Sequence, residues 1–376
     1  LPKQNAKEAA IVSEVEVFGM ETLQETVQFL RGKTIHHKTL INLDELFTHQ
    51  THDFELDFSN VQGQAHAKRA MEIAAAGAHN LLMIGPPGAG KTMLAKRISS
   101  ILPPMTLQEA LETTKIHSVA GKLSDKKALI ATRPFRSPHH SISAVALIGG
   151  GSIPQPGEIS LAHHGVLFFD ELPDFSRHVL DVLRQPLADR SIHISRARWV
   201  VEFPANFMLI ASMNPCPCGF YNHPIKTCTC GSENVRKYLN KISGPLLDRI
   251  DMHVEITPIY YEEMTSEKPT ENSETIRQRV IKAVGMQKKR FQGSLNTYSN
   301  AAMSSQMVKE VCLLDVASQQ LLKRAMDNLH LSARAYDRIL KLARTIADLS
   351  QTNQIELAHI AEAITYRNLD RENWAG

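Results

Sequence analysis

Short apolar runs alternate with amphipathic helical stretches through the middle of the chain. A helical stretch at 65–77 precedes the first run, and a second helix is predicted to begin at Lys91, after a turn rich in Gly and Pro. The apolar runs cover residues 81–85, 165–169, 207–212 and 252–256. Helices that alternate with short apolar strands favour a parallel α/β sheet.

The remainder of the chain has other patterns. After the acidic, Pro-containing stretch at 265–274, apolar residues recur at helical spacing, as at Ile339, Leu342, Ile346 and Leu349. From about Lys33 to Asp57 no sustained period is visible, so we interpret this stretch as a linker or extended arm. The predicted parts are residues 1–34, a linker at 35–57, an α/β core at 58–260 and an all-α domain at 261–376.

Composition narrows the class of protein. The 376 residues include 42 Lys and Arg against 39 Asp and Glu, which gives a net charge of +3, and 43% are hydrophobic. This profile excludes collagen-like and disordered chains, and the weak overall charge does not by itself indicate nucleic-acid binding. No apolar run approaches the roughly 20 residues that cross a bilayer. We therefore predict a soluble, cytoplasmic protein with no membrane partner.

A phosphate-binding loop is the sharpest motif in the chain. It fits GxxxxGK[ST] and lies between an apolar strand and a helix, which is the context that a P-loop requires. The glycines let backbone N–H groups face phosphate oxygens, while Lys91 reaches the terminal phosphates and Thr92 binds Mg²⁺. The alternative is a glycine-rich turn with an incidental lysine. The predicted nucleotide-binding residues of this loop are Gly85, Pro86, Pro87, Gly88, Ala89, Gly90, Lys91, Thr92 and Met93.

Polar residues at the ends of two later strands complete the predicted catalytic set. Asp170 and Glu171 follow the apolar run at 165–169. Asp170 is expected to hold Mg²⁺ through water, and Glu171 to polarise the water that attacks the γ-phosphate. Asn214 follows the run at 207–212, where it would orient that water, although an Asn before Pro215 is also typical of a turn. Together with the P-loop, these residues predict an NTPase.

The order of these motifs resembles an AAA+ ATPase, and more narrowly the ComM/YifB-type, Mg-chelatase-like family. The resemblance is carried by PFRSPHHSISAVALIGGGSIPQPGEISLAHHGVLFFDELPDF, NPCPCG, GPLLDRIDMHVEI and SARAYDRILKLARTIADL, and it extends from about Asp57 to the C-terminus. It implies an AAA+ P-loop fold, a parallel sheet flanked by helices, with a C-terminal all-α lid. Residues 1–34 resemble the tail of a Lon-like N-terminal domain, which would explain why the chain begins at Leu1.

The resemblance assigns roles to four further residues. Val61 and Gly63 would border the adenine of ATP. Arg249 resembles an arginine finger that is given to a neighbouring subunit, and Arg334 resembles the second sensor, which touches the γ-phosphate. A phosphoryl-transfer transition state needs such cations around its oxygens. For Arg249 the alternative is an ion pair with Asp248 or Asp251. The family's usual assembly is a homo-hexamer.

Two segments match insertions that face the central channel in this family. The first contains Arg133, Arg136, His139 and His140, followed by a Gly/Pro run that cannot continue a helix. The second, residues 190–201, alternates apolar and polar residues and predicts a hairpin. Its cations are predicted to grip DNA phosphates, although a solvated hairpin face is the alternative. The predicted DNA-binding residues are Arg190, Arg196 and Arg198.

Four of the five cysteines lie within fifteen residues, as a CxC…CxC pair. They are Cys216, Cys218, Cys228 and Cys230. Four thiolates are a typical ligand set for structural Zn²⁺, with His223 as a spare ligand. The CxC spacing is tighter than the common one, so reduced or disulfide-bonded thiols remain the alternative. Cys312 is predicted to be a core residue.

The leading hypothesis is an ATP- and Mg²⁺-dependent hexameric motor on single- and double-stranded DNA, a helicase or branch-migration enzyme that aids natural transformation and recombination. DNA as the substrate follows from the resemblance, whereas the phosphate chemistry alone predicts ATP hydrolysis. The alternative is a Mg-chelatase-type or chaperone-like subunit that remodels a protein partner.

Overall fold

The computed structural model describes residues 1–10, 15–40, 56–123, 129–196, 199–258, 270–294 and 297–367. The chain divides into two compact units: one contains residues 1–54 and 104–133, and the other contains residues 55–103 and 134–376. The sequence pattern had placed 104–133 inside the α/β core.

The first unit contains three helices in its described residues. They are Lys3–Ala9, Leu23–Leu30 and Leu107–Val119. Capping boxes open the second and third of these, because Thr22 and Thr106 each accept a bond from the backbone of the Glu three residues later. Arg133 also belongs to this unit, where it pairs with Glu109 at 3.1 Å.

The second unit contains a parallel five-stranded sheet, with the strand order β2-β5-β8-β1-β9. Two short antiparallel pairs, β3 with β4 and β6 with β7, lie outside this sheet. The strands are β1 (Leu81–Ile84), β2 (Phe135–Arg136), β3 (Gly149–Gly150), β4 (Gln155–Pro156), β5 (Val166–Phe169), β6 (Ser191–Arg196), β7 (Trp199–Pro204), β8 (Met208–Met213) and β9 (Met252–Glu255). The parallel sheet, its flanking helices and the helical C-terminal region confirm the predicted fold class.

Successive residues of the central strands face two different cores, as the twofold period of a strand requires. Leu81 and Met83 pack with the helices on one face, and Leu82 and Ile84 pack on the other. Helices Ala65–Gly77 and Lys91–Ile101 cover the first face. Helices Ala144–Ile148, Glu158–Leu161 and Arg177–Val182 cover the second face together with the β6–β7 hairpin. Burial on both faces explains why these strands are almost entirely apolar.

Short helices connect the strands, and the longest described helices lie in the helical C-terminal region. The connecting helices are Pro186–Asp189, Ser232–Leu239 and Gly244–Leu247, with 3₁₀ turns at Phe58–Asn60, Leu172–Asp174 and Asn300–Ala302. The C-terminal helices are Ser273–Arg290, Ser305–Val311, Val316–Leu329, Ala333–Leu349 and Leu357–Thr365. Within the described ranges, no helix combines the length and the apolar character needed to cross a membrane.

Candidate nucleotide site

The P-loop joins the carboxyl end of β1 to the helix that begins at Lys91. Gly88 and Gly90 have φ angles of +80° and +85°, a region that favours glycine. Gly85 is required for a different reason, because a Cβ at this position would lie 2.4 Å from the carbonyl oxygen of Ile256. The conformation of the loop and its packing against Ile256 therefore both depend on glycine.

Lys91 lies inside this loop and is only 8% exposed. Its Nζ donates hydrogen bonds to the carbonyl oxygens of Gly85, at 2.7 Å, and Pro86, at 2.9 Å. A third bond reaches Oδ1 of Asn214, at 3.0 Å. Burial lowers the pKa of Lys91, and the carboxylates of Asp170 and Glu171 oppose that shift. The ammonium is thus held where it meets both the loop and the end of β8.

Asp170, at the end of β5, is joined to Thr92 and Ser212 by hydroxyl groups. Thr92 Oγ1 donates to Asp170 Oδ2 at 2.7 Å, and Ser212 Oγ donates a short bond to Oδ1. Ser212 Oγ also accepts the backbone N–H of Glu171 at 3.3 Å. The carboxylate of Asp170 and the hydroxyl of Thr92 are oxygen donors of the type that Mg²⁺ prefers. These residues therefore fit the predicted magnesium site.

Three residues of this site were missed by the sequence reasoning. Ser212 carries the only hydroxyl in the buried strand β8, and a polar residue among five apolar ones was a usable signal. Tyr238 lies beside Asn214, where burial and then the Asp174 carboxylate raise the pKa of its hydroxyl. Gly219 lies against Pro87 of the P-loop, because a Cβ on Gly219 would be 2.3 Å from Pro87 Cδ. Tyr238 belongs to no local motif, and the motif NPCPCG, which ends at Gly219, does not by itself indicate a contact with Pro87.

The residues predicted to border adenine lie in a tight bend before helix Ala65–Gly77. Val61 is fully buried and its carbonyl oxygen accepts a bond from Lys68 Nζ. Gly63 has φ of +59°, and Gln64, also left-handed, donates from its side chain to the carbonyl of Thr257 at 2.6 Å. Met93, which is half-buried, packs against the sheet core.

Arg249 and Arg334 belong to a separate group, close to the amino ends of β1 and β9. Arg334 pairs with Asp248 at 2.9 Å and is 68% exposed at its side chain. Arg249 Nη1 donates to the carbonyl of Pro245 at 2.8 Å. Partial burial lowers the pKa of Arg249, and the neighbouring arginines, Arg184, Arg334 and Arg338, lower it further. The structure thus places the predicted arginine finger, Arg249, and the predicted second sensor, Arg334, near each other and not beside Lys91.

A buried carboxylate supports this arginine group. Asp251 is 7% exposed, and it accepts a bond from the backbone N–H of Asn80 at 2.9 Å and another from Arg338. Asn80 also donates from its side chain to the carbonyl of Arg249 at 3.0 Å and accepts the N–H of Leu209 at 2.8 Å. The two carboxylates that were alternative partners for Arg249 therefore pair with Arg334 and Arg338.

Comparison with known proteins places the chain in a family. The family described as "Magnesium chelatase, subunit ChlI" matches residues 57–264, and the one described as "Magnesium chelatase, subunit ChlI C-terminal" matches 270–367. The chain is 45% identical to "Competence protein ComM" of Haemophilus influenzae, across 99% of this chain and 72% of that protein. It is 44% identical to "Uncharacterized protein YifB" of Escherichia coli, across 98% and 71%. This chain belongs to the ComM/YifB-type, magnesium-chelatase-like AAA+ family.

More distant similarity extends to the magnesium chelatases themselves. The chain is 24% identical to "Magnesium-chelatase 38 kDa subunit" of Cereibacter sphaeroides, across 42% of this chain and 52% of that protein. The predicted family is confirmed, and membership together with the P-loop geometry indicates an ATPase.

In this family member, the four clustered cysteines come together after Asn214. The Sγ atoms of Cys216, Cys218 and Cys228 lie 3.4, 3.7 and 3.5 Å apart in pairs, and Cys230 joins them with all four within 4.8 Å. All four are free thiols. A tetrahedral site with metal–sulfur bonds of about 2.3 Å has sulfur–sulfur edges of about 3.8 Å, so the spacing fits one Zn²⁺.

The surroundings of the cysteine cluster act differently on its thiols: the pKa of Cys218 is lowered, whereas those of Cys228 and Cys230 are raised. The backbone N–H of Phe220 is the main cause that lowers the pKa of Cys218. His223, the predicted spare ligand, instead accepts backbone bonds on Nδ1 from Ile225 and Lys226, at 3.1 and 3.0 Å. Cys312 is buried and donates to the carbonyl of Leu340, in agreement with its prediction as a core residue.

The predicted hairpin is present as β6 and β7, whose register pairs Arg196 with Trp199. Ile192 and Ile194 pack on the core, whereas Val200 is 79% exposed. Arg190 lies at the base of the hairpin in a left-handed conformation, and burial lowers its pKa while Asp251 opposes this shift. Arg198 and the side chain of Arg196 lie outside the described residues. Arg190 thus lies near Asp251, at the base of the hairpin.

In the first insertion, Arg136 pairs with Glu158 through two bonds of 2.6 and 2.7 Å. His139 and His140 are exposed, with ring centroids 4.0 Å apart. Gly149 is needed where β3 meets β4, because a Cβ would lie 2.3 Å from the carbonyl of Gln155. Arg136 therefore anchors the start of the insertion to helix Glu158–Leu161.

Proposed function

We propose that the protein is a DNA motor of the cytoplasm, a homo-hexamer that couples ATP hydrolysis to unwinding or branch migration during natural transformation and recombination. The contact of Lys91 with Asn214, beside the Thr92–Asp170 pair, is the observation that carries the ATPase part. The 45% identity to a protein named for competence supports the DNA part.

The chemistry follows from groups at the carboxyl ends of β1, β5 and β8. The backbone N–H groups of residues 85–91 and the ammonium of Lys91 bind the phosphates of ATP. Thr92 and Asp170 would hold Mg²⁺, which would neutralise phosphate charge when bound. Glu171 accepts a proton from the attacking water, and Asn214 orients that water while it contacts Lys91.

Arg249 and Arg334 act, in this proposal, on the nucleotide of a neighbouring copy. The two arginines occupy one group at the other end of the sheet from Lys91, and Arg334 is largely exposed. An arginine finger supplied by a neighbour stabilises transition-state charge only when the copies assemble. This arrangement supports a ring in which each interface contains one P-loop and one arginine group.

DNA binding is assigned to the inner side of that ring. Arg190, Arg196 and Arg198 are the proposed contacts, with phosphate binding as their role. Six copies repeat these cations around one channel, so a net charge of +3 per chain is sufficient.

Strand displacement on forked and three-stranded DNA tests the motor directly. Wild-type protein with ATP and Mg²⁺ should displace a labelled strand, and the Glu171→Gln variant should not. The double change Arg196→Ala and Arg198→Ala should weaken DNA affinity, whereas Lys323→Ala with Arg324→Ala, which removes two exposed cations of the helical region, should not. Failure of the wild type to bind or displace any of these DNAs would overturn the proposal.

A protein remodeller is the second candidate, and one observation favours it. The first insertion exposes apolar residues: Ile153 is 69% exposed and Val145 is 56% exposed. Exposed apolar side chains in a channel favour polypeptide over phosphate contacts. ATP hydrolysis that is stimulated by an unfolded protein and not by DNA would support this candidate.

The four cysteines are proposed to hold one structural Zn²⁺. Zinc analysis of the purified protein should give close to one ion per chain, because four neighbouring cysteines supply the full ligand set of a structural Zn²⁺ site. A value far below one would overturn this assignment.

A further inference from the structure

The segment 214–219 contacts the P-loop at both of its ends. At one end Asn214 Oδ1 accepts a hydrogen bond from Lys91 Nζ at 3.0 Å. At the other end Gly219 packs so closely on Pro87 that no side chain fits between them. Two thiols of the cysteine cluster, Cys216 and Cys218, lie between these contacts. The cluster and the nucleotide site therefore share one short piece of backbone.

The segment is a tight turn in which the thiols are fixed by backbone contacts. Gly219 N donates to the carbonyl of Cys216 at 2.9 Å, and Gly219 has φ of +82°. Tyr221 N donates to Cys216 Sγ at 3.3 Å, and Cys216 is fully buried. A shift of either sulfur atom therefore shifts the turn that touches Pro87.

The second half of the cluster comes from an exposed connection. Between Met213 and Ser232 the chain contains no helix or strand, and most residues from 222 to 231 are exposed. Cys228 and Cys230 are the points at which this connection returns to the turn. An ion that binds all four thiols closes this long loop. Part of the binding free energy of the ion then offsets the entropy that the loop loses when it is ordered.

We propose that a thiophilic divalent cation of the Zn²⁺ type at these four cysteines controls the nucleotide affinity of the P-loop. The ion holds the turn 214–219 in place, and the turn holds Lys91 and Pro87. This inference rests on the proposed nucleotide-binding function of the loop, and it adds a regulation: loss of the metal weakens nucleotide binding while the fold persists.

Removal of the distal ligands tests this coupling without changing the turn itself. In Cys228→Ser with Cys230→Ser, zinc content should fall and the dissociation constant for a fluorescent ADP analogue should rise about tenfold, within the usual range of coupling between sites. Circular dichroism and the melting temperature monitor the fold. Cys312→Ser, which removes a buried thiol of the helical region, should change neither the zinc content nor the dissociation constant for the ADP analogue. An unchanged nucleotide affinity in the folded, zinc-free double variant would overturn the proposal.

Linkage gives a second test that uses the wild-type chain. If the metal tightens ADP binding by some factor, ADP must tighten metal binding by the same factor. Co²⁺ replaces Zn²⁺ and its thiolate absorption reports occupancy, so its affinity is measured by titration with and without ADP in excess Mg²⁺. Equal factors from the two titrations support the proposal, and a Co²⁺ affinity that ADP leaves unchanged overturns it.

Alanine substitutions at two glycines with positive φ distinguish the effect of the Gly219–Pro87 contact from the effect of backbone strain alone. Gly219→Ala should retain zinc and weaken ADP binding, because its Cβ meets Pro87. Gly293→Ala is the matched control: its φ is +89°, and a Cβ there meets no described atom within 4 Å. Equal nucleotide affinities in the two variants would overturn the role of the turn.

The two proposals fail in different ways. Zinc-loaded wild type that binds ADP but hydrolyses no ATP would overturn the ATPase and leave the coupling standing. Hydrolysis and ADP binding that persist unchanged after zinc loss would overturn the coupling and leave the ATPase standing.

Discussion

The two ends of the parallel sheet organise charge in opposite ways. At the carboxyl ends of β1, β5 and β8, Lys91 and Asp170 are held by carbonyl, hydroxyl and amide groups that a bound ligand can replace. At the amino ends of β1 and β9, Asp251 is buried and is bound by the backbone of Asn80 and by Arg338. The side chains at the carboxyl ends can therefore exchange their hydrogen-bond partners for a ligand, whereas Asp251 at the amino ends keeps its partners within the protein. The following experiments test this difference.

Removal of Arg249, the proposed arginine finger, should have the largest effect. Arg249→Ala should reduce ATP hydrolysis about 10³-fold or more, because an arginine finger contributes roughly that much. Arg177→Ala, at an exposed arginine on the surface, should have no effect.

Mixed assemblies show which subunit the finger serves. Neither Arg249→Ala nor Glu171→Gln should hydrolyse ATP alone, and a mixture should recover part of the activity at interfaces that combine an intact P-loop with an intact finger. No recovery in mixed rings would mean that Arg249 acts within its own chain.

Asp251→Asn tests how much the buried Asp251–Arg338 pair, at the amino ends of the strands, stabilises the fold. Loss of its charge leaves Arg338 without its partner, so we expect unfolding to become easier by about 3–5 kcal/mol. Urea denaturation measures this value, with the exposed Asp327→Asn as the control. A loss below that expected of a surface change would show that the amino end is no more fixed than the nucleotide end.

Ser212→Ala should have a smaller effect, and on catalysis. It removes one bond to the Asp170 carboxylate and one from the Glu171 backbone, so kcat should fall roughly tenfold, in line with a hydrogen bond to a charged group. Ser160→Ala is the control, since this buried serine has no hydrogen-bond partner for its hydroxyl among the described residues. Steady-state ATPase kinetics of both variants would contradict the prediction if they gave equal kcat values.

The smallest effect concerns pH. Burial tends to raise the pKa of Asp251, but Arg338, followed by His79, outweighs burial and holds that pKa well below its usual range. The stabilisation is therefore complete above the unfolded-state pKa near 3.9 and is lost as pH falls through the folded-state value. The stability difference between wild type and Asp251→Asn should be constant from pH 8 to about pH 5 and shrink below about pH 4. A difference that grows toward low pH would contradict this assignment.

The nucleotide end was readable from sequence because its residues are contiguous or end apolar strands. The P-loop is a single run, and Asp170 and Asn214 each follow a strand. At the amino end, Arg249 and Arg334 were singled out by motif, but the pairing of Arg338 with Asp251 was not readable, because these two are 87 residues apart and belong to no shared motif. The same reason hid the contact of Gly219 with Pro87. Nor did any pattern predict that 104–133 forms a unit with 1–54.

The side chain of Asn80 links the segment at Arg249 to strand β8. Its amide accepts from Leu209 N and donates to the carbonyl of Arg249, so the side chain cannot rotate without losing both bonds. Leu209 lies near the start of β8, the strand that leads to Asn214. Load applied to the Arg249 segment therefore reaches this strand through two hydrogen bonds of fixed polarity. Aspartate, which lacks the donor, would carry it through only one.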